Sequence, residues 1–276
     1  MENLNNQKLK AINFFYKKWV KKIGWAYHIN VENNISESFG ALDKLKENLG
    51  IIYKPKNKIN NLFIDSSFDK SELCKIGKKF ETDKSPHNIV KHRHPYTPIY
   101  DLIFSTFRRR KINLAEIGIF YNSSINMWRR YFEFAKIFGF DSEKNLIKNA
   151  ELQNLKDAYY FQMDVKSTNS IKNNLLTLKT NFDILIDDST HNFFDQVRII
   201  KNFTHYMNTG GITVIEDIPE YDESFSENNF YKELKNFFKF FDSIKFINCD
   251  SINKFSGEHY NNKLLILVRN NRKLKQ

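Results

Sequence analysis

The sequence predicts an α/β fold in which a mostly parallel sheet carries helices on both faces. From Ile112 onward, short apolar runs of strand length alternate with amphipathic stretches of helical length, which is the pattern of βαβ units. Several of these runs also end directly in acidic residues. The clearest example is 182–186, which continues into Asp187 and Asp188. A run of this length and composition is typical of a buried parallel strand.

The expected elements can be placed along the whole main domain. Helices are predicted at 71–79, 100–109, 125–134, 143–155, 168–178, 193–207 and 229–241. Strands are predicted at 112–117, 136–140, 159–162, 182–186, 212–215, 243–249 and 263–268. Because 250–262 is too short for a helical crossover, the last two strands should be antiparallel neighbours. The predicted architecture is a Rossmann-like sheet of seven strands, mostly parallel, with a final antiparallel strand.

Residues 1–70 are expected to form an N-terminal, mainly helical extension, and residues 71–276 the main domain. Residues 7–22 place apolar side chains at helical spacing with lysines on the other face. Packing on the same domain or on a second subunit, and so a homo-oligomer, is favoured over lying on a membrane. Residues 51–70 contain Pro55 and many Asn and Lys, and are predicted to be a linker.

Composition limits the class of protein. The net charge of +11 over 276 residues favours an anionic partner, such as a nucleotide-linked small molecule or a nucleic acid. No apolar run reaches the roughly 18 residues of a membrane-spanning helix, and the start lacks a signal-peptide pattern. A cytoplasmic protein is therefore expected. Cys74 and Cys249, the only cysteines, indicate neither a metal site nor a disulfide framework.

Acidic residues follow two of the predicted strands at the same end. The strand 212–215 follows a Gly-Gly turn and, like 182–186, leads directly into two acids. Ligands of open α/β sheets bind outside the carboxyl ends of the strands, and neighbouring strands lie about 5 Å apart. If these two strands are neighbours, four side chains converge: Asp188, His191, Glu216 and Asp217. Their carboxylates suit a hard cation such as Mg²⁺ or Mn²⁺. The alternative is that Asp188 or Ser189 caps the next helix and that His191 bonds a nearby carboxylate.

A second candidate site follows the strand 112–117. This strand carries Glu116 near its end and is followed by Gly118 in a turn that leads into a helix, which is typical of nucleotide-binding turns. Asp141 ends the next strand, at roughly the 20-residue spacing at which a ribose-binding acid follows a first strand. Asp141 could also cap the following helix, and the two roles can coexist.

Five stretches of the sequence are specific when taken in order: Thr82-Asp83-Lys84, 94–100, 116–119, 187–191 and 210–217. In this order they resemble the class I S-adenosylmethionine-dependent methyltransferases. More narrowly, they resemble the metal-dependent sugar O-methyltransferases of macrolide biosynthesis and of surface polysaccharides. The resemblance covers about half of the chain, roughly 76–220. Two residues depart from the family pattern, since Glu81 and Asn122 stand where the family has glycine; Asn is among the few other residues that tolerate a left-handed backbone.

The resemblance implies S-adenosylmethionine and Mg²⁺ or Mn²⁺ as cofactors, with roles for particular residues. The residues expected at the S-adenosylmethionine site are Thr82, Lys84, Tyr96, Glu116, Gly118, Asn122, Ser124, Asp141, Asp164 and Asp187. Among these, Glu116 and Gly118 would line the methionine end, Asp141 the ribose hydroxyls and Asp164 the adenine amino group. The expected metal ligands are Asp188, Glu216 and Asp217, and the expected catalytic residues are Asp188 and His191. A cation-bound sugar hydroxyl is more acidic than a free one, and the His191 imidazole would accept its proton.

The expected acceptor is a sugar hydroxyl on a nucleotide-linked or surface-polysaccharide carbohydrate, a small-molecule substrate that is anionic or nucleotide-linked. An RNA methyltransferase is one alternative that the positive charge suggests. The sequence lacks an Asn/Asp-Pro-Pro-Tyr-type motif and its basic residues are dispersed, which argues against nucleic acid. A non-catalytic binding protein on a methyltransferase fold is the other alternative. Asn122 leaves room for it, whereas the intact acids and His191 argue against it.

Overall fold

A computed structural model describes residues 28–29, 59–88, 92–255 and 260–271, which form one sheet flanked by helices. The strands are β1 (His28–Ile29), β2 (Ile59–Asp65), β3 (Asn113–Ile117), β4 (Lys136–Asp141), β5 (Ala158–Gln162), β6 (Phe182–Asp187), β7 (Met207–Ile215), β8 (Phe241–Asp250) and β9 (Lys263–Arg269). The helices are α1 (Glu72–Lys79), α2 (Tyr96–Phe104), α3 (Ser123–Tyr131), α4 (Lys144–Leu152), α5 (Thr168–Leu178), α6 (Phe193–Phe203) and α7 (Glu227–Leu234). None of the helices in these ranges is long and apolar enough to span a membrane.

The described strands lie in the order β1-β2-β8-β9-β7-β6-β3-β4-β5. The five strands from β7 to β5 along the sheet are mutually parallel. Strand β9 runs antiparallel to both of its neighbours, β7 and β8. The predicted mostly parallel sheet with a late antiparallel strand is therefore confirmed, and each of the seven predicted strands is present.

Strand β2 corrects one expectation. The stretch 51–70 was expected to be a linker, but residues 59–65 pair in parallel with β8 from Ile59 to Asp65. Leu62 and Ile64 are buried on one face of the strand, at the period of two that a half-buried strand requires. Strand β1 then pairs antiparallel with β2. The sheet thus extends into the segment expected to be helical. The predicted helix 7–22 lies outside the described residues.

The core is divided into two layers by the sheet. Successive strand residues point to opposite faces, and so Leu114, Ile184 and Val214 pack with α1 to α4 on one side. Ala115 and Leu185 pack with α5 and α6 on the other side. Because both faces of the sheet are covered, all but one residue of β3 and of β6 are buried, which explains why their sequences are mostly apolar.

Helix α2 begins at Tyr96, four residues before its predicted start. Pro98 lies in the first turn, where a helix has no use for the backbone N–H that proline lacks. The carbonyl of Lys84 accepts hydrogen bonds from the N–H groups of Tyr96 (3.1 Å) and Thr97 (2.9 Å). These bonds satisfy helix N-terminal donors. They also fix the Thr82-Asp83-Lys84 segment against α2.

Candidate active site

The candidate site lies where the direction of strand addition reverses. From β3 the chain builds outward through β4 to β5 and then returns to β6, on the other side of β3. In open α/β sheets, ligands bind at the carboxyl ends of strands at such a switch point. The carboxyl ends of β3 and β6 are joined directly, because the N–H of Asp188 donates a hydrogen bond to the carbonyl of Ile117 at 2.8 Å.

Gly118 is required at this junction for two reasons. Its φ of 88° lies in the left-handed region, which costs a residue with a side chain about 1–2 kcal/mol. A Cβ at this position would also lie only 1.9 Å from the carbonyl oxygen of Asp188. The glycine turn therefore packs directly against the backbone of β6. The predicted binding turn and the predicted acid cluster adjoin one another.

Three of the four predicted convergent side chains form a group that could hold a cation. Asp188, His191 and Asp217 each offer a ligand atom, and these atoms lie within 4.8 Å of one another. His191 Nε2 lies 4.0 Å from Asp188 Oδ1 and 3.7 Å from Asp217 Oδ2. Two carboxylates and an imidazole suit divalent cations that accept oxygen and nitrogen donors. His191 is 40% exposed, and so it also faces the space where an acceptor would bind.

His191 and Asp217 have left-handed backbones, with φ of 51° and 55°. Such conformations are uncommon for non-glycine residues and cost on the order of 1–3 kcal/mol. They persist only where the surrounding structure enforces them. Because both residues project into the same group, the strain supports a functional role for this geometry.

Lys84 lies at the centre of the acids rather than on the surface. Its Nζ pairs with Asp188 Oδ2, lies 2.6 Å from Glu216 Oε2 and 3.5 Å from Glu116 Oε1, and its side chain is 1% exposed. Burial opposes the charge of Lys84, but the three carboxylates outweigh it and raise the pKa of Lys84 well above its usual value. This residue was predicted at the S-adenosylmethionine site. Its ammonium links Glu116, on the glycine turn side, to the acid cluster, and its contact with a cofactor stays a prediction.

Glu216 is engaged on the interior side of the cluster. Its Oε1 accepts a hydrogen bond from the hydroxyl of Tyr100 and its Oε2 from Lys84. Burial raises the pKa of Glu216 well above its usual value, against the opposing effect of Lys84. Metal ligation by Glu216 stays a prediction. A cation bound there would share oxygens that Lys84 and Tyr100 already contact.

Asp217 is held by neighbours on several sides. Its Oδ1 accepts a hydrogen bond from the Tyr96 hydroxyl (2.7 Å) and its Oδ2 from Asn261 Nδ2 (2.9 Å). His94 Nε2 lies 3.6 Å from Oδ2. Burial acts to raise the pKa of Asp217, but His94 and His191 outweigh it and lower the pKa. Tyr96, predicted near the cofactor, therefore positions a member of the cation group.

Buried oxygens without partners surround the glycine turn. Glu116 Oε2 accepts a hydrogen bond from Trp128 Nε1 at 2.8 Å, whereas Glu116 Oε1 has no hydrogen-bond partner among the described residues. Asp187 Oδ2 and Asn122 Oδ1 are also buried without such partners. Burial raises the pKa of Glu116 to about 7 and that of Asp187 to about 6. Buried polar atoms of this kind require an explanation, and a bound ligand with N–H and O–H donors supplies one. The turn therefore fits the predicted S-adenosylmethionine.

The two departures from the family pattern keep a glycine-like backbone. Asn122 has a φ of 70°, and the prediction that it tolerates a left-handed conformation is confirmed. Its Nδ2 donates hydrogen bonds to Gln153 Oε1 and to the Tyr160 hydroxyl, both at 2.9 Å. Glu81 likewise has a φ of 54°. Both residues therefore have the left-handed backbone that glycine adopts most readily.

Asp141 stabilises the glycine turn. Its Oδ2 accepts hydrogen bonds from the N–H groups of Ile119 (3.1 Å) and Phe120 (3.3 Å). Its Oδ1 accepts from the N–H of Glu143 at 2.9 Å, just before α4. Asp141 does not cap α4, because the N-cap residue is Glu143 and no side chain makes a cap hydrogen bond there. The contact of Asp141 with a ribose stays a prediction.

The remaining predicted cofactor residues lie around the same end of the sheet. Ser124 is buried in the first turn of α3. Thr82 is buried, and its Oγ1 accepts from the N–H of Lys84 at 3.4 Å. Asp164 is exposed just beyond β5, where its Oδ1 accepts from the N–H of Lys166 at 2.9 Å. Their contacts with a cofactor stay predictions.

Sequence reasoning missed the contacts that hold the acids in place. Tyr100, His94 and Asn261 were not predicted as site residues, although each lies beside Glu216 or Asp217. Their partners are more than 40 positions away in the chain. His94 and Tyr100 lie in the stretch 94–100 that carries part of the family resemblance, but local periodicity does not indicate which distant acid each side chain contacts.

The chain belongs to the methyltransferase-domain family, whose model matches residues 122–266, more than half of the 276 residues. Demethylmacrocin O-methyltransferase of Streptomyces fradiae is 31% identical over 133 residues, which cover 45% of this chain and 32% of that protein. The 8-demethyl-8-alpha-L-rhamnosyl tetracenomycin-C 2'-O-methyltransferase of Streptomyces olivaceus is 27% identical over 133 residues, 45% of this chain and 33% of that protein. The chain thus spans about a third of the length of the curated relatives it matches.

A solved structure shares the fold. The MycE methyltransferase of the mycinamycin biosynthetic pathway, in complex with Mg and SAH, matches 73% of this chain and 55% of its own, with a TM-score of 0.55 at 20% identity. The predicted resemblance to methyltransferases is therefore confirmed by family and by fold.

Proposed function

We propose that this protein is an S-adenosylmethionine-dependent O-methyltransferase that methylates a sugar hydroxyl, with a divalent cation and His191 as general base. The observation that carries the proposal is the convergence of Asp188, His191 and Asp217 beside the turn at Gly118. A methyl donor and a proton acceptor are needed within a few ångströms of one hydroxyl, and these two features adjoin at one end of the sheet.

The names of the relatives support the sugar as acceptor. The two tetracenomycin enzymes of Streptomyces olivaceus are named as 2'-O- and 3'-O-methyltransferases of rhamnosyl compounds. The enzyme of Micromonospora griseorubida is named as a mycinamicin VI 2''-O-methyltransferase.

Each residue group has a distinct part in the proposed reaction. The site at the Gly118 turn would hold S-adenosylmethionine, which would supply an electrophilic methyl group. Asp188 and Asp217, with Glu216 adjoining, would hold a divalent cation, which would make an acceptor hydroxyl more acidic. His191 accepts the hydroxyl proton at a ring nitrogen, and its partial exposure leaves it accessible to the acceptor. Asp188 and Asp217 then stabilise the protonated imidazole. Lys84 balances the charge of the carboxylates from the interior side.

The kind of carbohydrate is the finer part of the proposal. A nucleotide-linked or surface-polysaccharide sugar is the acceptor class that the net charge of +11 suggested. An acceptor panel that pairs free glycosides with their phosphorylated and nucleotide-linked forms would test this class directly.

Calorimetric titration of S-adenosylmethionine, with and without Mg²⁺, tests the two proposed sites. Wild-type protein should bind both S-adenosylmethionine and Mg²⁺. Asp188→Ala should keep S-adenosylmethionine binding and lose Mg²⁺ binding, because only the cation group is altered. Absence of S-adenosylmethionine binding under every condition would overturn the methyltransferase proposal.

Methyl transfer to the acceptor panel tests the general base. His191→Ala should lower kcat by about 10²- to 10⁴-fold, the usual contribution of general base catalysis, while S-adenosylmethionine binding is unchanged. His205→Ala is the matched control, because His205 is exposed after α6 and outside the site. Equal kcat values for the two variants would exclude His191 as the base.

A further inference from the structure

A cavity of about 450 Å³ opens beside the cation group. Its lining includes His191, Asp217, Tyr221, Asp222, Tyr260 and Asn261. Ligand pockets for small molecules usually have volumes of about 300–1,000 Å³ and combine aromatic walls with a few polar groups. Because the cavity contains the proposed base, a ring bound in it would present a hydroxyl to His191.

Two exposed tyrosines form one wall of this cavity. Tyr221 is 77% exposed and Tyr260 is 60% exposed, and their ring centroids lie 5.1 Å apart in an edge-to-face arrangement. The N–H of Glu220 donates to the carbonyl of Tyr260 at 2.7 Å, which ties the segment after β7 to the segment before β9. The aromatic wall is therefore held in register with the acids that follow β7. Exposed aromatic surface at a cavity is typical of ligand contact.

The charged groups of the cavity are acidic. Asp217 and Asp222 line it, and no Lys or Arg belongs to the part of its lining that the structure describes. Lys84, the cation nearest to the acids, is already paired with Asp188 and Glu216 behind them. With a divalent cation on Asp188 and Asp217 as proposed above, Asp222 is still a carboxylate without a Lys or Arg beside it in the described lining, and a phosphate near it would be repelled. Sugar hydroxyls, by contrast, are donors that carboxylates accept.

Asn261 adds an independent indication of a ligand. Its Nδ2 donates to Asp217 Oδ2, which leaves its Oδ1 buried without a hydrogen-bond partner among the described residues. A buried acceptor of this kind in a cavity wall is satisfied when a ligand supplies a donor.

We propose that Tyr221 and Tyr260 form the acceptor subsite, and that this subsite binds an uncharged glycosyl ring. The inference rests on the proposed function. The apolar C–H face of the ring lies on the tyrosines, and its hydroxyls point to Asp222 and Asn261. A phosphate attached directly to the ring would lie near Asp222 and be repelled by it. The subsite therefore favours the uncharged ring over the same ring carrying a phosphate.

The test is the kinetics of methyl transfer to methyl α-L-rhamnopyranoside and to L-rhamnose 1-phosphate, which carry the same ring without and with a phosphate. Tyr221→Ala and Tyr260→Ala should each raise KM for the glycoside about tenfold with little change in kcat, since one aromatic contact is removed. The Phe variants should keep KM within about threefold, because the ring face remains. Tyr159→Ala is the matched control, since Tyr159 is 42% exposed on β5 and outside the cavity.

The phosphorylated sugar tests the charge of the subsite. Wild-type protein should show at least about a tenfold higher KM for L-rhamnose 1-phosphate than for the glycoside, and Asp222→Asn should narrow that ratio. Unchanged KM in both Ala variants, or a lower KM for the phosphate, would overturn this inference while the methyltransferase proposal stands. If wild-type protein binds S-adenosylmethionine but methylates neither sugar, the sugar assignment itself fails, and this inference with it.

Discussion

Lys84 is the residue whose removal tests the structure most directly. Lys84→Met keeps the length of the side chain and removes the ammonium that contacts Asp188, Glu216 and Glu116. At 2.6 Å, the attraction between Lys84 and Glu216 is about 6 kcal/mol if the effective dielectric constant is about 20. Burial of the ammonium costs several kcal/mol, which offsets much of this attraction.

The net effect of the substitution is still a large loss of stability. Removing one partner of a buried ion pair typically costs 3–5 kcal/mol, because the other charge is left buried and uncompensated. We expect the free energy of unfolding of Lys84→Met to fall by about that amount. For a chain of this size the midpoint of thermal unfolding would fall by roughly 6–20 °C. Lys201→Met is the control: its pair with Glu233 is partly exposed, and such pairs contribute about 0–1 kcal/mol.

The effect of Mg²⁺ on stability shows whether Lys84 acts as a counterion to the acids or only fills space in the core. A cation that binds at 100 times its Kd stabilises the folded state by about 2.7 kcal/mol. Because Lys84→Met leaves the acids without their internal cation, Mg²⁺ should raise its unfolding midpoint more than it raises that of the wild type. Urea denaturation in the presence of EDTA and of Mg²⁺ measures both the loss of stability in Lys84→Met and the stabilisation by Mg²⁺. A variant as stable as wild type, with the same response to Mg²⁺, would refute the counterion role of Lys84.

Two further predictions concern the glycine turn. Gly118→Ala should lower the free energy of unfolding by more than about 3 kcal/mol and abolish S-adenosylmethionine binding. Gly210→Ala, with a φ of 76° and open space around it, should lower the free energy of unfolding by about 1–2 kcal/mol. Equal urea midpoints for the two variants would show that the close approach of Gly118 to Asp188 does not affect stability. The folded-state pKa of Glu116 is about 7, above its usual 4.5, and so the stability that its protonation contributes is present below pH 4.5 and lost as the pH rises to about 7. Between pH 4.5 and 7, the free energy of unfolding of Glu116→Gln, measured by urea denaturation, should fall less than that of the wild type. Identical pH profiles for the two proteins would contradict the raised pKa of Glu116.

The strands could be predicted because burial on both faces makes most positions of a strand apolar. That condition holds for β3 and β6 at the centre of the sheet. It fails for β2, where the buried Leu62 and Ile64 alternate with partly exposed residues and follow two asparagines. An amphipathic strand so rich in Asn has the composition of a loop. The N-terminal part of the sheet was missed for that physical reason.

The sequence predicted only the part of the site that follows from the order of strands and the residues at their ends. Acids at strand ends are visible because the topology of a parallel sheet gathers all carboxyl ends at one edge. The cation among them is not visible, since Lys84 and Asp188 are 104 positions apart and their contact depends on how α2 and its preceding segment pack on the sheet. A cluster of acids with one buried lysine differs in kind from a cluster of acids alone. In the first, the lysine offsets part of the negative charge before any metal binds, which lowers the free-energy cost of burying Glu116 and Glu216 in the absence of a metal cation. The position of Lys84 therefore explains how one end of the sheet can place carboxylates at both the glycine turn and the cation group without unfolding it.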